Sequence, residues 1–204
     1  MTEPFAPAAL RAALHALDQP PLGDGWNRAQ LADVLPMGTR FAAAAVLVGR
    51  VDREVPTILL TRRTETLATH AGQVSFPGGR IDPGDRDAIA AALREADEEI
   101  GLAARHVEPL GYLDPFETIS AFRVLPVVAL VRPGFDLRLN PGEVDEAFEA
   151  PLSLFLDRSA QRVQYIDYRG LRREIHEFEF GGRRIWGATA SMLINLRERL
   201  EQCR

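Results

Sequence analysis

A chain of 204 residues that is 46% hydrophobic is long enough for one well-buried globular domain and short for two. A net charge of −5 argues against the broad basic face that nucleic-acid binding requires, and no apolar run approaches the roughly 20 residues that span a bilayer, so neither a nucleic acid nor a membrane is expected as a partner. The single cysteine, Cys203, excludes an internal disulfide and a cysteine metal cluster; the N-terminus MTEPFAPAALRAALHALD has no basic region followed by an apolar core, so the expected location is cytoplasmic.

In chain order, residues 7 to 17 place Leu10, Leu14 and Leu17 at helical spacing before the helix-ending stretch QPPLGDG, and residues 1–35 read as an N-terminal helical extension of a single 1–204 domain. FAAAAVLVG (41 to 49) and PTILLT (56 to 61) predict a strand pair around the turn RVDREV, and GQVSFPGG (72 to 79) a shorter strand ending in a loop. A helix follows, then strands in HVEPLGYLDPF (106 to 116) and FRVLPVVALV (122 to 131), and further strands in EVDEAFEAPL, RVQYIDYRG and LRREIHEFEF. A closing helix spans roughly 187 to 201, with Met192, Leu193, Leu196 and Leu200 on its apolar side. This order predicts an α+β fold, a mixed β-sheet between helices, rather than a regular βαβ alternation.

The chemistry concentrates in FPGGRIDPGDRDAIAAALREADEEIGL, residues 76 to 102. At roughly 100° per residue, Glu95, Glu98 and Glu99 share one arc while Asp97 points elsewhere, and Ile89, Leu93, Ala96 and Ile100 gather on nearly the opposite side. The acidic stripe is therefore expected to face away from the core. Residues 85 to 102 contain no Lys to support the carboxylates at i+4, and Arg94 lies to the side of their arc. Spacing leaves two readings open, a solvated helix face or a site for a hard divalent cation such as Mg²⁺ or Mn²⁺, shared with substrate phosphates.

These residues resemble the signature of the Nudix hydrolases, G-x5-E-x7-R-E-U-x-E-E-x-G-U with U aliphatic. Gly79 opens the box, and Arg94-Glu95-Ala96-Asp97-Glu98-Glu99-Ile100-Gly101-Leu102 closes it at about residue 102. Asp85 stands in place of the first Glu, and eight residues rather than seven separate it from Arg94. The preceding stretch resembles the coenzyme A pyrophosphatases of this superfamily, L-L-T-x-R-[SA]-x3-R-x3-G-x3-F-P-G-G. Leu59, Leu60, Thr61, Arg63, Gly72, Phe76, Pro77, Gly78 and Gly79 match, while Thr64 departs mildly and Ala68 replaces an Arg.

The resemblance implies an α/β/α sandwich and hydrolysis of the pyrophosphate bond of coenzyme A and its thioesters with Mg²⁺ or Mn²⁺. The products would be 3′,5′-ADP and 4′-phosphopantetheine or its acyl derivative. It implies Glu95, Glu98 and Glu99 as metal ligands with the Gly78 carbonyl as a further one, and makes Arg94 a structural partner of Asp85 or Asp82. Arg62, Arg63 and Arg80 are the candidate phosphate binders, since guanidinium groups bond phosphate in two prongs. The general base stays open between the box, where Glu98 is the catalytic candidate, and the later acids Glu117, Glu143 and Glu146; a PG turn expected to make its loop mobile and projecting favours Glu143. His70 is a candidate contact for phosphate or purine, and Phe116, Phe122, Tyr165 and Tyr168 are candidates for stacking an adenine or for the core. Two other functions remain open: the same chemistry on ADP-ribose, NADH or a dinucleoside polyphosphate, and a catalytically silent nucleotide-binding sensor.

Overall fold

The computed structural model describes residues 6–203 apart from Met37, Ala68 and Arg169. Two short helices, α1 (Pro7–Ala13) and α2 (Arg28–Leu31), precede strands β1 (Ala42–Val51), β2 (Thr57–Arg63), β3 (Val74–Ser75) and β4 (Gly78–Arg80). Helix α3 (Ala88–Ile100) comes next, then β5 (Val107–Tyr112), β6 (Phe116–Glu117), β7 (Phe122–Val131) and β8 (Val144–Pro151). The chain ends with α4 (Leu152–Leu156), β9 (Arg162–Tyr168), β10 (Leu171–Phe180), β11 (Arg183–Trp186) and α5 (Gly187–Gln202).

The long apolar runs of β1 and β7 pair in parallel from Ala42↔Phe122 to Val51↔Val131, and every other pairing in the sheet is antiparallel. Its order is β3-β2-β1-β7-β5, with β8 on the far edge of β2 and β6 on β7. Along its other edge β1 meets two partners. β2 holds it only at Arg50↔Ile58 and Val51↔Thr57, whereas β4 holds it at Ala44, Ala45 and Val46. Between them the chain crosses at Pro77, whose carbonyl accepts the Leu47 N–H at 2.8 Å. That split leaves an opening in the sheet, and the candidate site lies over it.

Side-chain alternation sends residues to two cores. Ala45, Leu47, Leu59, Val127 and Ala129 face α3, while Val48, Ile58, Leu60, Val124 and Val128 face the side that holds α1, α4 and α5. Helix α3 lays Ala91, Ala92, Ala96 and Ile100 on the sheet, all wholly buried. Small side chains let its backbone come close, and each buried aliphatic such as Ile100 contributes about 2 kcal/mol. The Asp87 side chain caps its start by accepting from Ala90 N–H at 2.8 Å. Gly101, at φ 68°, ends it in a left-handed cap with the Gly101 and Leu102 N–H groups turned back onto the Asp97 and Ala96 carbonyls.

The fold is the expected one, helices packed on both faces of a mixed sheet. Two details differ. β9, β10 and β11 form a separate three-stranded antiparallel sheet: β8 already covers the β2 edge, and β9 lies exposed on both faces. Phe178 and Ile185 tie this sheet to the α5 side of the core. Helix α1 stops at Ala13 rather than continuing to Leu17: Leu14 turns extended, and His15 pairs backbone to backbone with Tyr112 at 3.0 Å in both directions. Leu17 is consequently 38% exposed, while Leu10 and Leu14 are buried.

Candidate active site

The glycine loop reaches α3 because two positions have no side chain. At Gly78, φ is 151°, and a Cβ there would lie 2.4 Å from the Ala45 carbonyl oxygen; at Gly79 a Cβ would lie 2.6 Å from the Glu95 carboxylate. This close approach covers part of the acidic stripe. Glu99 is only 3% exposed and accepts the Gly78 N–H at 3.2 Å. The stripe expected to face away from the core is in part covered by another segment: Glu98 is open to water, Glu95 is half-buried, and Glu99 is buried beneath the glycine loop.

Arg94 organises the loop. Its Nε and Nη2 grip Asp85 in a two-pronged bond at 3.0 Å each, and Nη2 also reaches the Arg80 carbonyl at 3.1 Å. Asp85 in turn accepts the Asp82 N–H at 2.9 Å, and the Arg94 bond, chiefly, holds its carboxyl below the usual range. Of the two acids proposed for Arg94, Asp85 is the main partner, with Asp82 at 3.7 Å. Arg94 is also less remote from the acidic stripe than spacing indicated, since Nη1 bonds Glu95 at 2.9 Å and Glu98 at 3.1 Å.

Arg63 and Arg62 part company. Both close β2, but they point to opposite sides of the sheet, and the pairing with β8 shifts register between them. Arg63 Nη1 lies 3.9 Å from Glu99, whereas Arg62 Nε lies 3.3 Å from Glu146 on the other side. Arg80 is exposed, with its guanidinium 5.2 Å from the centre of the Phe122 ring.

Among the later acids, Glu143 belongs with the acidic helix. Its charge is one of those that raise the Glu95 and Glu99 carboxyls. Its loop is hydrogen-bonded back onto the end of α3 and onto the end of β2, where the PG turn suggested a projecting one. Arg138 and Asn140 donate their N–H groups to the Ile100 and Glu99 carbonyls at 2.8 Å each, Asn140 Nδ2 meets the Glu143 carboxylate at 3.2 Å, and the Glu143 carbonyl accepts the Thr64 N–H at 3.0 Å. Asn140 is the residue that sequence reasoning missed, and only its place before the PG turn hinted at it.

Glu117 and Glu146 are elsewhere. Glu117 is 1% exposed, with Arg123, Arg28 and the Gly25 N–H on its carboxylate and the Asn27 amide bracketing its backbone. Burial pushes its pKa up, yet these bonds hold it below the usual value. Glu146 is held below its usual value by Arg183, which grips both its oxygens. His70 bonds Gln73 within its own loop at 2.9 Å. Phe116 is core beside Trp26, Phe122 packs against the core, and Tyr165 is 55% exposed beneath Arg172 in the second sheet, where Tyr168 also lies. Ala68 lies outside the described residues.

No group of three acidic, histidine or cysteine side chains among the described residues is drawn tightly enough to cage an ion. The residues present nevertheless fit a hard cation. Burial pushes Glu99 up to about 7 and also raises Glu95. Arg94 bonds Glu95 at 2.9 Å and is shared with Asp85 and Glu98, while Glu99 has Arg63 at 3.9 Å, so the desolvated carboxylates outnumber the positive charge beside them. Their oxygen chemistry suits Mg²⁺ or Mn²⁺.

A mixed sheet split over a glycine loop, with an acidic helix against it, is an arrangement suited to a cation and a phosphate, and comparison with known proteins gives it a class. The NUDIX domain family model matches residues 38–168, and the chain belongs to this family of pyrophosphohydrolases, which generally use divalent metal ions, usually Mg²⁺. Among its relatives, the uncharacterized Nudix hydrolase NudL of Photorhabdus laumondii is 41% identical over 158 residues, covering 78% of this chain and 84% of that protein. The protein of the same name from Yersinia pestis is 40% identical over 157 residues, covering 77% and 79%. In fold the chain is similar to the crystal structures of the MutT protein of Methanosarcina mazei (TM-score 0.53, 20% identity, covering 82% and 97%) and of a MutT/nudix family protein of Enterococcus faecalis (TM-score 0.54, 17% identity, covering 82% and 65%).

Proposed function

We propose that this Nudix hydrolase cleaves the pyrophosphate bond of coenzyme A and its thioesters, releasing 3′,5′-ADP and 4′-phosphopantetheine or its acyl derivative. The observation that carries this reading is the run from Leu59 to Gly79, matched to the coenzyme A pyrophosphatase pattern, which sets Arg63 beside Glu99 at 3.9 Å. In-line attack of water on a phosphoryl group needs positioning and charge stabilisation more than covalent chemistry. Glu95, Glu98, Glu99 and the Gly78 carbonyl would hold Mg²⁺ or Mn²⁺, which when bound draws charge from the phosphate oxygens.

The chain's own residues supply the rest. Arg63, the one candidate phosphate binder on the α3 side of β2, would orient a phosphate over the glycine loop. Arg80 borders the loop on its exposed side, and Arg62 serves the opposite side of the sheet. Arg94 keeps the loop closed through Asp85. Glu143 would accept the proton of the attacking water: its loop is fixed to the end of α3, which holds a base at constant reach. Glu98, exposed at the stripe's rim, is the alternative base within the box.

A panel of coenzyme A, dephospho-coenzyme A, ADP-ribose and NADH, assayed with Mg²⁺ and then Mn²⁺ with products resolved by mass, tests the substrate. Coenzyme A should lead the others in kcat/KM by at least about tenfold, some 1.4 kcal/mol, which one charge-assisted contact supplies. Leading turnover of ADP-ribose would place the chain in another Nudix substrate class.

A further inference from the structure

β10 and β11 join through Gly181 and Gly182, both at positive φ (57° and 76°), the geometry of a two-residue hairpin turn. The turn brings Arg183 and Arg184 to an open cleft of about 510 Å³ whose opposite wall is Arg62 and the loop from Ala71 to Val74. Three guanidiniums and one carboxylate, Glu146, line it, an excess of positive charge in a chain whose net charge is −5.

The guanidiniums are held in place. Arg183 grips Glu146 and lies over the Phe148 ring at 4.5 Å. Arg184 bonds Glu177 through Nε and lies over the Trp186 ring at 5.0 Å. Arg62 Nε lies 3.3 Å from Glu146, out of hydrogen-bond alignment. No described residue accepts from the Nη groups of Arg62 or Arg184, so both present free donors. With Arg183 on Glu146 and Arg184 on Glu177, the three guanidiniums keep an excess of one positive charge. A phosphomonoester, with three strong acceptor oxygens, can take the free donors of Arg62 and Arg184 together, which a carboxylate's two oxygens do less well. The Trp186 indole adds the apolar surface that a nucleotide's sugar and base need.

We propose that Arg62, Arg183 and Arg184 form an anion subsite for the phosphomonoester of a nucleotide, separate from the acidic helix and on the other side of β2. In taking that phosphate to be carried by the substrate, the proposal rests on the coenzyme A reading; a free nucleotide offers the same chemistry.

The test is calorimetric binding of adenosine 3′,5′-bisphosphate and of AMP to the full chain in EDTA. Wild type should bind the bisphosphate at least about tenfold more tightly. Arg184→Gln should bring that ratio below about threefold, and so should Arg183→Gln. Arg183 supports the hairpin through the Gly181 carbonyl, so the half-exposed Arg184 keeps the test open if Arg183→Gln does not fold. Equal affinities in wild type, or a preference retained in Arg184→Gln, overturn the subsite. Kinetics separate the two sources of phosphate. If the substrate carries it, Arg184→Gln lowers kcat/KM more for coenzyme A than for dephospho-coenzyme A; if a free nucleotide fills the cleft, both substrates lose alike. Should neither be hydrolysed, the coenzyme A reading fails while the binding ratios still decide the subsite.

Discussion

Glu99 is a carboxylate that the fold removes from water with Arg63, at 3.9 Å, too far to offset its burial, and its titration follows. Its folded pKa, pushed up by burial to about 7, lies above the ordinary 4.5. A raised acid holds its proton more tightly in the folded state, so its effect is absent below pH 4.5 and grows as a loss of stability as pH rises to 7, up to about 3 kcal/mol. In EDTA the difference in unfolding free energy between wild type and Glu99→Gln should therefore move in favour of the variant from pH 5 to pH 8, and Mg²⁺ should restore wild type most at the higher pH. A difference that stays flat with pH would mean that Glu99 is solvated. The base is separable by the same logic of environment. Glu143→Gln should depress kcat and remove the acidic limb of the pH–rate profile while leaving metal affinity nearly unchanged. Glu117→Gln should lower stability by about 2 kcal/mol, because it strips a buried charge from Arg28 and Arg123, and should leave the kcat of folded protein intact. If Glu117→Gln alone abolished turnover, the assignment of roles would be reversed.

At the scale of elements, the long segments were legible and the short ones were not. β1, β7, α3 and α5 carry their own periodicity, and each appears where the apolar spacing places it. β6, β11, α2 and α4 are two to five residues long, too short for any period to register, and their geometry is set by neighbours. The acidic face of α3 was legible as a face, but its burial was not. What encloses Glu99 is the Gly78 N–H from 21 residues upstream, and that contact depends on the split between β2 and β4. The Glu143 loop was misread for a similar reason, since Asn140 anchors it to the end of α3 by a bond that no local pattern announces. The junction itself can be tested. Gly101 sits at φ 68°, and a Cβ there would meet the Arg138 Cβ at 3.0 Å, so Gly101→Ala combines left-handed strain with crowding. It should cost about 1–2 kcal/mol in denaturant unfolding and lower kcat through displacement of the Arg138–Glu143 loop. Unchanged stability would show that the loop yields freely.

Across the whole molecule, one sheet separates two differently charged regions. On the α3 side, burial first and then the Glu95 and Glu143 charges raise the Glu99 carboxyl, and the cluster calls for a cation; on the other side, Arg62, Arg183 and Arg184 exceed their acidic partners and call for an anion. Adjacent residues of β2, Arg62 and Arg63, belong to the two regions, so a single strand end links them. The central claim is that the acidic face of α3 drives cation-dependent cleavage of coenzyme A. Its most direct test is single-turnover hydrolysis of coenzyme A at saturating Mg²⁺ by wild type beside Glu99→Gln, with products resolved by mass. The account predicts 3′,5′-ADP and 4′-phosphopantetheine from wild type and a rate at least about 10³-fold lower in the variant, roughly 4 kcal/mol of lost transition-state stabilisation. Near wild-type turnover by Glu99→Gln would contradict it.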